Sequence, residues 1–365
     1  MKKNPFKFGT IVDTPYFTDR TDEIKYVKSV LNSDNHLIII SPRRFGKTSL
    51  ISKAVKDLNR PSIFLDLQLV TNENDLASQL LKRVFRVYPF EKIKDFVKNF
   101  RVIPGISLNP INNEVDITFS ADSSSSVYIE DVFNLIEKAA LKKNKPIVIL
   151  DEFQEIKNIG NKLDRKLRSI IQFHQKINYV FLGSQESLIR DIFEKKKSAF
   201  YHFGSLFTLN KIHYDHFLAY LAKGFVSIYN NEIEISEEIL KITKSHPYYT
   251  QQLAFVCWDL VYNSKNLKNP VDQAVNEIIR HHDIDYERIW YTINRTDMKI
   301  LIGMSFSDLS PLSMEFSRNY FTSASSTVFS GLKRLAQSGL IIKTDLGYEI
   351  DDPFFKRWII QRRER

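Results

Sequence analysis

Leu37-Ile38-Ile39-Ile40-Ser41-Pro42-Arg43-Arg44-Phe45-Gly46-Lys47-Thr48-Ser49 is the stretch whose reading decides the fold. The apolar run at its start reads as a strand buried on both faces. The segment from Ser41 to Thr48 matches the pattern G-x-x-x-x-G-K-[ST] at Gly46, Lys47 and Thr48, and departs from it at Ser41, where the pattern has its first glycine. Beyond the loop, Leu50, Ile51, Ala54, Val55 and Leu58 recur at helical spacing. Strand, tight loop and helix in that order turn free backbone N–H groups and a positive dipole end toward an anion. In such a loop Gly46 lets the backbone approach phosphates, Lys47 reaches the outer phosphates, and the Thr48 hydroxyl ligates Mg²⁺. Ser41, Pro42, Arg43, Arg44, Phe45 and Ser49 complete the candidate nucleotide-binding segment. The competing reading is an ordinary strand-to-helix turn with a chance Gly-Lys-Thr. The flanking pattern favours the phosphate loop.

A loop of this kind needs a partner carboxylate at the end of a neighbouring strand to hold Mg²⁺. Asp66 follows Ile63-Phe64-Leu65; Asp151 follows Ile147-Val148-Ile149-Leu150 and precedes Glu152. ATP hydrolysis uses one carboxylate in the metal's shell and another to orient and deprotonate water, and Asp151-Glu152 supplies both. Asp151 therefore joins Thr48 as a metal ligand, Lys47 and Glu152 are catalytic candidates, and Asp66 reads as a strand-end residue. Tyr179-Val180-Phe181-Leu182 runs into Gly183-Ser184-Gln185. Either Ser184 or Gln185 feels the γ-phosphate or holds the attacking water, with Ser184 the third catalytic candidate, or Ser184 caps a helix with Glu186 in its first turn.

Strand-like runs at 36–40, 62–67, 147–150, 179–182 and 206–209 alternate with helical spacing. That alternation predicts an α/β fold: the parallel sheet of a P-loop NTPase, covered by helices, with ligands at the strands' carboxyl ends. Thr21 is expected to cap a first helix, with Asp22 and Glu23 in its first turn. A helix carrying Leu76, Leu80, Leu81, Val84 and Phe85 is expected to end before Pro89. Short strands at 106–108 and 115–119 read as a hairpin insertion within about 101–127, with a polar linker at 123–126. From 211 the spacing is helical alone, which predicts a helical lid. The last part reads as three helices (298–304, 312–320, 323–337), a stop at Gly339, and strands at 340–343 and 348–350: a winged helix. The expected domains are 1–210, 211–290 and 291–365.

Among 365 residues, 43% are hydrophobic and 26% charged, a globular balance with room for two or three domains. The longest apolar runs are of strand length, so no membrane span is expected. The start, Met1-Lys2-Lys3-Asn4-Pro5-Phe6, lacks the pattern of a secretory signal, and a cytoplasmic location is the expectation. Cys257 is the single cysteine, which excludes internal disulfides and cysteine-built metal sites; its apolar setting reads as a buried, inert thiol. The net charge of +9 permits contact with nucleic acid without demanding it. Lys195-Lys196-Lys197 reads as a solvated face; the tail Arg362-Arg363-Glu364-Arg365 stays open.

The order of Phe17-Thr18-Asp19-Arg20-Thr21-Asp22-Glu23, Pro42-Arg43-Arg44-Phe45-Gly46-Lys47-Thr48, Ile149-Leu150-Asp151-Glu152, Leu182-Gly183-Ser184 and His246-Pro247-Tyr248-Tyr249 resembles the archaeal-type ATPases. These form part of the STAND branch of AAA+-like P-loop ATPases. Gly339-Leu340-Ile341 and Tyr348-Glu349-Ile350-Asp351-Asp352-Pro353-Phe354-Phe355 resemble the winged-helix end of the same family. The resemblance covers nearly the whole chain. It implies ATP and Mg²⁺ as cofactors and a switch in which lid and winged helix report nucleotide state to a protein partner or a second copy. It also implies that residues 17–23 pack near the adenine and that Pro247 rests on the base; the alternative for Pro247 is simply the first turn of a helix.

Two departures from the family pattern stand out. Ser41 replaces the first glycine, and Gly204 is followed by Ser205 where an arginine is common. The second implies slow hydrolysis, a substitute such as Arg190, or activation by a partner. A rival function is an ATP-controlled DNA-binding protein of the origin-recognition or transposition-helper kind, motivated by the winged helix and basic tail. Its third helix, however, offers mostly serine, with Lys333 and Arg334 near the end, and the expected wing carries Lys343 but also acidic Asp345, Glu349, Asp351 and Asp352. Protein contact or intramolecular regulation is therefore preferred to sequence-specific DNA reading. A non-catalytic scaffold that uses nucleotide for stability is the third reading.

Overall fold

The five apolar runs of the first half pair into one sheet because strands hydrophobic on both faces are stable only when helices cover both. The computed structural model describes residues 2–108, 115–118, 125–264, 267–320, 322, 324–344 and 347–364. They divide into two compact units: Arg20–Pro42 with Lys47–Asn210, and Met1–Asp19 with Arg43–Gly46 and Lys211–Arg365.

The first unit runs α1 (Thr21–Leu31), β1 (Leu37–Ile40), α2 (Lys47–Leu58), β2 (Ser62–Asp66), α3 (Glu73–Val87), α4 (Phe90–Val97), β3 (Gly105–Leu108), β4 (Val115–Thr118), α5 (Ser125–Ala139), β5 (Ile147–Asp151), α6 (Ile156–Ile159), α7 (Leu163–Ile171), β6 (Asn178–Gly183), α8 (Glu186–Phe193) and β7 (Ser205–Thr208). The main sheet is parallel throughout, in the order β2-β5-β6-β1-β7. Its inner strands β5, β6 and β1 are buried at every residue, whereas β2 alternates and β7 is half-buried, as edge strands should be. Register aligns Ile40 with Gly183 and Asp66 with Asp151, so the strands' carboxyl ends lie along one edge. β3 and β4 form a separate antiparallel pair, the expected hairpin; its connection and Phe119 lie outside the described residues.

Two local expectations change, and one helix is added. The cap position of α1 is Arg20, not Thr21, in left-handed backbone at φ 82°. Its buried guanidinium compensates by binding Glu23 and the Asn210 carbonyl, each at 2.7 Å. Of the polar linker expected at 123–126, Ser123 and Ser124 lie outside the described residues and Ser125 already begins α5. Pro89 both follows the end of α3 and precedes α4, a helix that the apolar spacing did not announce.

The second unit is helical apart from one hairpin: α9 (Tyr214–Phe225), α10 (Glu232–Thr243), α11 (Pro247–Asn263), α12 (Pro270–Thr292), α13 (Arg295–Phe306), α14 (Met314–Tyr320), α15 (Ser325–Gln337), β8 (Ile341–Thr344), β9 (Gly347–Ile350) and α16 (Pro353–Glu364). Three helices, an antiparallel pair and a closing helix give the winged-helix arrangement. One apolar core joins Phe6, Phe217, Phe225, Leu253, Val271, Leu301, Leu332 and Phe354. Cys257 lies in it fully buried, and burial pushes its thiol up, as expected of an inert residue. Among the described residues, no helix is long and apolar enough to cross a membrane.

Candidate nucleotide site

At the carboxyl end of β1 the backbone must turn tightly to start α2. Left-handed backbone falls in this loop at Arg44 (φ 64°) and Gly46 (φ 88°), and not at Ser41. That explains why the missing first glycine is tolerated: Ser41 is 1% exposed, and its hydroxyl donates to the Pro42 carbonyl at 3.1 Å. Lys47 opens α2, a helix with no acidic residue in its first turn to neutralise the dipole end. Ser49, also buried, comes in the same turn. The Lys47 ammonium is buried and donates to the carbonyls of Ser41 and Pro42 at 3.1 and 3.2 Å. Those acceptors are neutral, and a phosphate oxygen is a stronger partner for the same donors.

Asp151, the last residue of β5, accepts from the Thr48 hydroxyl at 3.1 Å. Its carboxyl is raised above its ordinary value, first by burial and then by the adjacent Glu152 charge; the Glu152 N–H, Lys47 and Thr48 pull it down. A buried carboxylate beside a hydroxyl, still disfavoured as an anion, is a donor set that fits Mg²⁺, a hard cation that takes oxygen ligands. Asp66 is otherwise engaged, accepting from the Gln68 N–H to cap the short turn Leu67–Leu69.

Glu152 adopts left-handed backbone (φ 50°, ψ 48°), which turns the chain sharply out of β5. Its Oε2 accepts from the Ser184 hydroxyl at 2.6 Å and the Ser184 N–H at 3.3 Å. Of the two readings of Ser184, the helix cap is not observed: Gln185 takes the cap position of α8, without a side-chain bond. Gln154, which residue chemistry alone does not single out, donates to the same Glu152 oxygen. Only the left-handed turn, which residue types do not announce, brings it there. Arg190 is held by Glu186 and Glu194 at 2.8 and 2.9 Å.

In the second unit, Arg43–Gly46 belongs with Met1–Asp19 and Lys211–Arg365. The Arg44 guanidinium lies 4.5 Å from the Tyr248 ring centre and donates to the Tyr249 hydroxyl at 3.3 Å. Phe45 is buried edge-on to the His246 ring, with centres 4.8 Å apart. His246 Nδ1 accepts the Tyr248 and Tyr249 N–H groups and so caps α11, with half-buried Pro247 at the first helical position. The helix-start reading of Pro247 accounts for what is seen. His246 Nε2 faces Asp351 Oδ1 at 3.4 Å, and Asp352 caps α16 through the Phe354 and Phe355 N–H groups.

Two of the basic residues offered for DNA pair with carboxylates. Arg334 binds Asp297 through two bonds of 3.0 and 2.7 Å. The tail is helical, and its Arg362 binds Asp283 and Glu287. Asp345 of the wing, Ser323 ahead of α15 and the final Arg365 lie outside the described residues.

A carboxyl that must ionise where the fold disfavours it costs stability above its raised pKa, and the cost fades as pH falls through that value. Asp151→Asn is therefore expected to raise the melting temperature of nucleotide-free protein near pH 8 by ~2–4 °C, about 1 kcal/mol. The gap between variant and wild type should close on acidification. Thermal scans across pH check this, and a variant less stable than wild type at pH 8 would show that the charge is already compensated.

A family model described as an ATPase domain predominantly from Archaea matches residues 17–253, and a winged helix domain model matches residues 284–361. MJECL26, an ATP-binding protein of Methanocaldococcus jannaschii, is 23% identical over 301 residues, covering 77% of this chain and 78% of its own. The Walker-type ATPase PABY2304 of Pyrococcus abyssi superposes with a TM-score of 0.70 at 18% identity, over 98% of this chain and 99% of its own. The ORC1 protein of Aeropyrum pernix, solved in complex with DNA, gives a TM-score of 0.50 at 12% identity, over 96% and 94%. At these identities the two structural likenesses establish the fold alone.

Proposed function

Since the chain belongs to the ATPase domain family found predominantly in Archaea and carries a winged helix domain after it, we propose that it is a Mg²⁺-dependent ATP hydrolase working as a STAND-type switch. Lys47 and the loop's N–H groups bind the phosphates, and Thr48 with Asp151 holds the ion. The ion supplies charge neutralisation on the phosphate oxygens. Glu152 orients the attacking water and accepts its proton, with Ser184 holding the carboxylate. Residues 211–290 act as lid and 291–365 as the reporting domain, for a protein partner or a second copy. A cytoplasmic location belongs to the same proposal.

The observation that carries the switch is the placement of the phosphate-loop tip. Arg44 and Phe45, immediately ahead of Gly46-Lys47, pack on Tyr248, Tyr249 and His246, and His246 faces the winged-helix residue Asp351. A nucleotide that reshapes the loop must disturb those contacts, and a change at Asp351 must be felt at the loop. Sizing chromatography with Mg²⁺ and either ADP or a non-hydrolysable ATP analogue is expected to give different hydrodynamic radii or masses. Identical elution in both states removes the switch.

The second reading, ATP-controlled DNA binding, draws support from the winged helix and from the ORC1 likeness. The commitment of Arg334 and Arg362 to carboxylates weighs against it. The same run with duplex DNA at low salt is expected to show little retention; strong, salt-sensitive, ATP-enhanced binding would favour the second reading instead.

A further inference from the structure

Gln154 has no part in the proposed hydrolysis, yet it is one of the few buried polar side chains beside Glu152. It is 3% exposed, in the short turn Phe153–Glu155. The turn is anchored by Phe153, which packs against Phe181, Phe193 and Phe200. Its Nε2 donates to Glu152 Oε2, and its Oε1 is buried without a hydrogen-bond partner among the described residues. The amide orientation follows from chemistry: the reverse would set two acceptor oxygens against each other. Gly183 makes the room, since a β-carbon there would come within 2.9 Å of Gln154 Oε1 and 2.2 Å of Ile189.

Glu152 Oε2 thus receives the Ser184 hydroxyl, the Ser184 N–H and the Gln154 amide. No donor among the described residues reaches Oε1. We propose that Gln154 is a positioning residue: together with Ser184 it engages Oε2 and presents Oε1 to the attacking water. This rests on the ATP-hydrolysis reading. In that step the water's proton passes to Glu152 Oε1, its oxygen bonds to the γ-phosphorus, and the bond to the bridging oxygen breaks, leaving its electron pair on ADP. A group that fixes a base within about an ångström acts mainly on turnover, because misplacement of that size costs about 100-fold.

Gln154→Met keeps the length of the side chain and deletes the donor; Gln154→Glu keeps the shape and replaces the donor with a charged acceptor. The expected result for Gln154→Met is a fall in kcat of ~10–100-fold with KM for ATP within about twofold. In Gln154→Glu two carboxylates face each other, and a pair that close retains a proton more readily as pH falls. Its kcat should therefore recover toward wild type between about pH 8 and pH 5.5, a rescue that a purely structural loss does not give. Crystal structures of wild type and Gln154→Met, each grown with Mg²⁺ and a non-hydrolysable ATP analogue, should show the Glu152 carboxylate displaced from Ser184 in the variant. Wild-type turnover with an unchanged kcat in Gln154→Met overturns the proposal. Absence of turnover in wild type itself overturns the hydrolysis reading and with it the attacking water; the crystal comparison then decides the rest: a displaced carboxylate upholds Gln154 as the residue that fixes Glu152, and an unmoved one overturns it. Should the Met variant fail to fold, the pH profile and crystal structure of Gln154→Glu carry the same decision.

Discussion

Lys47→Ala is expected to lower ATP affinity by at least about 100-fold, to the edge of detection in a fluorescent-nucleotide titration. The Lys47 ammonium is buried at the start of α2 and directs donors to two neutral backbone carbonyls, which a phosphate oxygen outcompetes as an acceptor. Hydrogen bonds from a charged donor contribute ~1.5–3 kcal/mol each, and losing two of them to phosphate oxygens amounts to ~3–6 kcal/mol. That is roughly 100- to 1000-fold or more in affinity. The folded state also loses two hydrogen bonds, one of them to the carbonyl of buried Ser41, so a fall in stability is expected beside the fall in affinity. Thermal scans without nucleotide separate the two effects. Affinity retained within threefold would remove Lys47 from the site.

Glu152→Gln should do the opposite: keep ATP and stop its cleavage. The replacement carbonyl can still accept from Ser184 and Gln154, so the turn after β5 and the Asp151–Thr48 contact survive. What is lost is a base, since an amide takes no proton at neutral pH. General-base catalysis contributes ~100- to 10,000-fold, and kcat should fall by that factor while binding changes less than about twofold. Phosphate release under single-turnover conditions measures it. Unchanged hydrolysis in this variant would assign the proton to another group, and the role given to Gln154 would fall with it.

Much of this was legible in the chain. Runs such as Ile147-Val148-Ile149-Leu150 are apolar at consecutive residues, and only a sheet covered on both faces satisfies that pattern. The Gly46-Lys47-Thr48 and Asp151-Glu152 groups lie where that sheet's carboxyl edge had to be, because a strand's end is set by where its apolar run stops. The cap of α1 lies one residue ahead of Thr21 because Arg20 in left-handed backbone is held there by Glu23 and by the carbonyl of Asn210, a partner far away in sequence.

The sheet, the phosphate loop and the succession of helices and wing were written in the order of residues, because periodicity and residue chemistry act over a few neighbouring positions. Which group serves which was left to the folded chain. Ser184 goes to Glu152 instead of capping α8, Gln154 turns back onto the same carboxylate, and Arg44 and Phe45 pack with Tyr248, Tyr249 and His246. Arg334, legible as a candidate phosphate reader, is consumed by Asp297. A side chain with several possible partners commits only when the folded backbone makes one of them near, and nothing local in the chain encodes that distance.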